Sequence, residues 1–197
     1  ADNRAWVLYH DNANKIHIGL NSGASGAPAW WGTYSTSTIT ASRWYHIAIV
    51  RTASAASVKI FIDGVEETTT ETSTGGATAA AAIYNSTEPI RIGASYWEGS
   101  SYIEHLTGYL DDIRISGVAR YAQNFSPGAI KHGNIGCCAE CDPHWSSVKL
   151  LIESDTTDET DDIVDSSGSS HLLTKEPQAG SPNIRHEVDQ KKFGSSS

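Results

Sequence analysis

The chain of 197 residues has a formal net charge of −9, is 39% hydrophobic and 19% charged, and contains 17 Gly, 6 Trp, 8 Tyr and no Met. An average field of that sign repels a phosphate backbone or an anionic surface, so no nucleic-acid partner is expected. No apolar run approaches the roughly 18 residues of a membrane span, so no membrane insertion is expected either; the length allows one large β domain or two small ones. With no secretory signal and no Met anywhere, the expectation is a mature fragment or a piece of a longer polypeptide.

In chain order, Trp30, Trp31 and Tyr34 lie in a Gly- and Ser-rich stretch read as exposed loop, and Tyr96, Trp97 and Tyr102 lie in a second. Sugar rings present apolar C–H faces that stack on aromatic planes, so these six form the candidate glycan-binding set. The alternative is that they cover the ends of the fold. Adjacent strand residues face opposite ways, so Trp30 and Trp31 cannot both put their rings on one sheet face. Trp44 to Arg51 (WYHIAIVR) is the continuous apolar run of a strand buried on both faces, with His46 as a framework histidine. Val58 to Ile62 is a second strand, and Asp63-Gly64 is a pair that closes a tight hairpin. After the threonine-rich EETTTETSTGG, Ala79 to Ala82 suits a short helix or a loop. Ile90 to Gly93 and Gly108 to Ser116 read as further strands. No 3.6-residue apolar period persists through three turns, so the chain is predicted to be all-β with two packed antiparallel sheets.

Residues 131 to 144 have the composition of a linker. They hold all three cysteines, Cys137, Cys138 and Cys141, followed by His144. An odd number cannot pair completely within the chain, which points to a disulfide within the cluster or between subunits. The spacing Cys138-x-x-Cys141-x-x-His144 also offers part of a zinc ligand set. Trp145 to Ile152 reads as a strand with Val148, Leu150 and Ile152 on one face. In the acidic stretch beyond it, Asp155, Asp158, Asp161, Asp162 and Asp165 supply the hard oxygen ligands that calcium accepts, the plain alternative being a solvated loop. Ile163 to Thr174 reads as strand, tight turn and strand.

The series WYHIAIVR, VKIFIDG, IRIGA and GYLDDIRISGVARYAQNFSPG, in that order, resembles the second half of a laminin-G-like, concanavalin A-type jelly roll of the kind repeated in bacteriophage tail and virion proteins. Arg120, Tyr121, Asn124, Phe125 and Pro127 are part of that pattern, which covers roughly residues 1 to 128. From Asp142 onward, DPHWSSVKLLIESD, DSSGSSHLLT and QKKFG resemble the opening strands of the same family. The resemblance implies a laminin-G-like sandwich over residues 1–130, a Cys-containing linker over 131–144, and the opening strands of a second or partner-completed sandwich over 145–197. A half sandwich leaves open edges and an uncovered apolar face, so other copies or other virion proteins are expected to complete it.

Function is then expected to be structural and adhesive rather than enzymatic: a virion or extracellular module that packs against other subunits and binds host or environmental glycans. The alternatives are a polysaccharide-degrading glycoside hydrolase on the same fold and a secreted cellular adhesion domain. Asp111 and Asp112, adjacent on an expected strand, face apart and suit ion pairing with Arg114 or Arg91 better than joint catalysis. Glu153 to Asp158 resembles the alternating carboxylates of concanavalin A-fold glucanases, but its flanks lack the apolar alternation of a strand. No Gly-x-Ser-x-Gly elbow, phosphate loop or HExxH pattern occurs. No cofactor beyond calcium is expected.

Overall fold

The computed structural model describes residues 4–23, 27–96, 103–127, 142–153 and 163–174. The chain divides into two compact units, residues 1–106 with 121–127, and residues 107–120 with 128–197. Among the described residues the regular structure is β, with only two 3-10 turns, Ala53–Ala55 and Trp145–Ser147.

In the first unit, strands β1 (Trp6–His10), β2 (Lys15–Asn21), β3 (Trp30–Thr38) and β7 (Thr69–Ser73) form a four-stranded antiparallel sheet in the order β1-β2-β3-β7. The period-2 alternation of β2 decides which way it faces: Ile16, Ile18 and Leu20 are buried, while Lys15 and His17 project to the other side. Strand β3 alternates in step, with Trp31, Thr33 and Ser35 buried. The two buried hydroxyls are satisfied locally: Thr33 donates to the Thr70 carbonyl at 3.0 Å, and Ser35 donates to the Ser37 carbonyl at 2.7 Å.

A second sheet is built from β4 (Ile47–Thr52), β5 (Ser57–Ile62) and β6 (Val65–Glu66). Its β5–β6 hairpin closes through Asp63 and Gly64, both with positive φ (51° and 80°), the backbone a two-residue primed turn demands. The core lies between the sheets, where Ile16, Ile18, Leu20 and Trp31 meet Ile60 with Ala77 and Ala79, and Ile47, Ile49, Val58 and Ile62 pack around them. Burying each such aliphatic side chain stabilises by about 1.5–3 kcal/mol, and this layer is what holds the two sheets face to face. A small hairpin of β8 (Ala94–Tyr96) and β9 (Ile103–His105) belongs to the same unit.

Residues 121–127 strap the β5–β6 hairpin. Tyr121 and Phe125 stack at 3.7 Å, and Phe125 lies tilted against Phe61 at 5.5 Å and edge-on to His46 at 5.4 Å. Asn124 Oδ1 accepts the Glu66 amide at 2.8 Å, and Lys59 Nζ donates to the Ala122 carbonyl at 2.8 Å.

The second unit contains β10 (Ile113–Ser116) and β11 (Val148–Ile152), paired antiparallel with a bulge between Ile115 and Ser116. Val148, Leu150 and Ile152 are buried as their alternation predicts, but Leu151 on the other face is buried as well.

Several expected elements take a different form. Ile90 to Gly93 is not a strand: Gly93 has φ +79°, and pairing begins only at Ala94. The strand expected from Gly108 starts at Ile113, because Asp112 sits in the left-handed region at φ 55° and interrupts extension. Asp111 and Asp112 therefore lie at the entrance of a strand, not along it. Of the two forms open to Ala79 to Ala82, helix or loop, the chain takes the loop, with a turn and a bend. Residues 163–174 contribute one isolated bridge, Asp165 to Ile152, and no strand pair.

Candidate functional site

Trp30 and Tyr34 are strand residues, not loop residues as expected. The alternation of β3 places Trp30, Gly32 and Tyr34 on the outward face of the four-stranded sheet and sends Trp31 into the core, where it is 4% exposed. Trp31 is thus not part of the outward face with Trp30 and Tyr34: its ring packs in the core cluster and lines the edge of a cleft on the opposite side of the sheet. Trp97 and Tyr102 lie outside the described residues, as does the side chain of Tyr96, whose backbone is in β8.

Pairing sets the outward neighbours. Tyr34 lies opposite His17 and Thr70, Gly32 opposite Gly19 and Thr72, and Trp30 opposite Asn21. Across the first hairpin, Tyr9 faces His17 and Val7 faces Gly19. His17 is consequently sandwiched between Tyr9 and Tyr34, with ring centroids 4.9 and 4.8 Å away and planes within 24° and 20°. Lys15 Nζ sits 5.1 Å over the Tyr34 ring, and Arg4 Cζ sits 5.4 Å over Trp30.

The imidazole of His17 is held at both nitrogens. Nε2 lies 2.9 Å from Asp11 Oδ2, and Nδ1 lies 3.4 Å from the Tyr9 hydroxyl. An ionised carboxylate can only accept, so Nε2–H donates to Asp11 and, in the neutral ring, Nδ1 accepts from Tyr9. Asp11 itself anchors the β1–β2 turn, with Oδ1 accepting the amides of Lys15 and Ala13 at 2.9 Å each. The Lys15 amide, helped by His17 and the Ala13 amide, holds the Asp11 carboxyl below the ordinary carboxylate range against a smaller opposing effect of burial.

Glycines shape the middle of this face. A Cβ on Gly19 would meet Val7 Cγ1 at 3.1 Å and Trp30 Cε3 at 3.3 Å, so the six-membered ring of the Trp30 indole closes over Gly19. A Cβ on Gly32 would meet the Ile18 carbonyl at 3.1 Å, Thr72 Oγ1 at 3.5 Å and Gly19 Cα at 3.7 Å. On this face Gly32 leaves a gap in the row of side chains between Trp30 and Tyr34, which are four residues and about 13 Å apart along the strand, and this gap is the slot. One side is bordered by the exposed hydroxyl residues Thr70 and Thr72. His17, Gly19 and Gly32 were not anticipated as part of a site, although the alternation KIHIGLN already places His17 and Gly19 opposite the apolar Ile16, Ile18 and Leu20.

The remaining candidates are dispersed. The side chain of Asp165 is buried, and its carboxylate is engaged within the protein. Oδ1 accepts the Leu151 amide at 3.0 Å and the Ser167 amide at 2.9 Å, while Oδ2 meets the His171 amide at 2.8 Å and His171 Nδ1 at 2.7 Å. Burial opposes ionisation there, but the amides of His171, Leu151 and Ser167 with the His171 ring outweigh it and hold the carboxyl well below its usual range. Asp155, Asp158, Asp161 and Asp162 lie outside the described residues, as do Cys137, Cys138 and Cys141. His144 is exposed, and its backbone takes part in a clamp: Arg120 reaches Asp142 at 2.8 Å and the His144 carbonyl at 3.3 Å. Among the described residues, no three His, Cys, Asp or Glu side chains gather as a metal site, and no helix is long and apolar enough to cross a membrane.

No curated protein and no solved structure matches the chain. Residues 1–124 match a laminin-G family model described as the concanavalin A-like lectin/glucanases superfamily. That match, over more than half of the chain, places it in the concanavalin A-like lectin/glucanases superfamily.

Proposed function

We propose that the first unit is a non-enzymatic adhesive module that binds glycans through the outward face of its four-stranded sheet. The observation that carries this reading is the slot on β3, where Trp30 and Tyr34 flank Gly32. A saccharide in the slot sets its apolar C–H face against aromatic carbon and its hydroxyls toward Thr70 and Thr72, the mix of apolar wall and few polar groups that small-ligand sites use. The fold fits a carbohydrate-binding or adhesion module. Binding without cleavage is favoured because the carboxylate of Asp11 on this face is already taken up by turn amides and His17.

The proposed setting is a virion or tail appendage, with other copies or other virion proteins packing on the sandwich. Support for packing comes from β1, an edge strand. Trp6 and Leu8 pair with Leu20 and Ile18 on the core-facing side, yet they are 38% and 45% exposed. Copurification with particles tests the setting. A glycan array tests the activity: wild type is expected to bind a subset of saccharides, and Trp30→Ala and Tyr34→Ala each to weaken binding about tenfold. No reducing sugar is expected to be released. Binding unchanged in both variants, or hydrolysis abolished by Glu153→Gln, would overturn the reading.

A further inference from the structure

We infer that a second site lies at the β7 side of the sandwich, and that it takes a small hydroxylated amine of the amino-sugar class with Glu71 as its counter-ion. This cleft shares Thr72 with the border of the outward slot but otherwise lies on the other face of the sheet. Glu71 and Ser73 pair with Thr33 and Trp31, and so project on the core-facing side of the sheet, opposite to Trp30 and Tyr34. Its volume is about 320 Å³, within the roughly 300–1,000 Å³ of small-molecule sites.

The lining combines the groups such a ligand needs. Methyl groups of Ala77 and Ala79 and the indole of Trp31 supply an apolar surface, while Ser73 and Thr78 supply hydroxyls. Glu71 supplies the one formal charge among the lining residues. Its only partner among the described residues is the Trp31 indole, which donates to Oε2 across 3.4 Å, a long bond that leaves the carboxylate able to accept more. Glu71 faces the cleft while the neighbouring Arg51 guanidinium is committed to the Ala79 and Ala81 carbonyls, so a protonated amine is favoured over an anion.

The Ala79 part of the lining is fixed in advance. Arg51 crosses from β4 and donates through Nε to the Ala79 carbonyl at 3.2 Å and through Nη2 to the Ala81 carbonyl at 2.6 Å. An inward-pointing charge on an edge strand also protects that edge from pairing with another chain. Edge protection accounts for a charge on β7. It does not account for a shaped wall held by a guanidinium fork.

Titration of the isotope-labelled protein with D-glucosamine, D-glucose and D-glucuronate tests the inference, read at the Trp31 indole N–H resonance assigned with Trp31→Phe. Glucosamine is expected to shift that resonance saturably in the millimolar range, glucose more weakly, and glucuronate not at all. Glu71→Gln is expected to reduce the preference for glucosamine over glucose about three- to fivefold, the scale of one partly exposed ion pair. Thr78→Val, which leaves β7 untouched, is expected to weaken both sugars. No saturable shift at Trp31, an equal response to glucuronate, or an unchanged preference in Glu71→Gln would each overturn the site. Because the readout is Trp31 and not Trp30 or Tyr34, these outcomes leave the outward-slot reading to its own test.

Discussion

Single residues carry the turns that make the fold possible, and two of them show how sharply. Asp63-Gly64 is legible in the sequence as a hairpin pair, and both residues do adopt positive φ. What the sequence does not show is why the second must be glycine beyond its φ. A Cβ on Gly64 would collide with the Phe125 carbonyl and come within 2.8 Å of Pro127 Cδ, and the Gly64 carbonyl accepts the Phe125 amide at 2.9 Å. Gly64→Ala therefore combines a left-handed penalty with a backbone clash, and a loss of about 2–4 kcal/mol is expected in denaturant unfolding. Asp165 is the counterpart in the second unit, grouped from its sequence with four other aspartates as a calcium candidate. Its buried carboxylate gathers three backbone amides and a histidine ring, the pattern of a turn anchor. Asp165→Ala leaves those amides without their acceptor and is expected to cost about 3 kcal/mol or more. Because its folded pKa is depressed, its contribution is fully present above the unfolded carboxyl value near 4 and is lost as pH falls through the folded value. Thermal unfolding followed from about pH 6 downward should show a steeper loss for wild type than for Asp165→Asn once pH falls below about 4.

At the scale of elements, periodicity explains what could be read and what could not. WYHIAIVR and VKIFI are apolar enough to read as strands; β4 takes the first from Ile47 onward, and β5 contains the second. Strand β3 was hidden because WWGTYSTST has the Gly, Ser and Thr content of a loop. It becomes a strand through the ladders it makes with β2 and β7, and pairing, unlike composition, is a long-range property. The same ladders assemble the outward slot, so two of its residues were visible only as isolated side chains. The closing segment after Ala119 is the opposite case. Its Tyr-Asn-Phe-Pro pattern is legible in the chain, and the contacts show the physical work: Phe125 covers Phe61 and His46, and Asn124 caps the Glu66 amide. Phe125→Ala is expected to destabilise the first unit by about 2–4 kcal/mol, and Asn124→Ala by about 1 kcal/mol, as measured by chemical denaturation. A cost for Phe125→Ala no larger than that for Asn124→Ala would show that the aromatic packing of the strap adds nothing beyond a single hydrogen bond.

For the whole molecule, the informative feature is apolar surface where the sheet runs out. Trp6 and Leu8 have the register of core residues and the exposure of surface ones. If neighbouring subunits pack there, the double substitution Trp6→Ser with Leu8→Lys should abolish concentration-dependent association in sedimentation velocity without lowering the melting temperature. Loss of folding together with association would instead make these residues part of the unit's own core.

The all-β class, the hairpin at Asp63-Gly64, the strands β4, β5 and β11, and the family are legible in the chain, because apolar runs, turn pairs and an ordered series of motifs are local; β4, read as buried on both faces, is half-buried apart from Val50. Only the tertiary structure decided that Trp30 faces out while Trp31 faces in, that His17 lies between two tyrosines, that Gly32 leaves a slot between Trp30 and Tyr34, and that Asp165 anchors a turn. Each of those depends on strand register or on a hydrogen-bond partner distant in sequence. A shift of one residue in register would exchange the two faces of every strand without altering the composition at all.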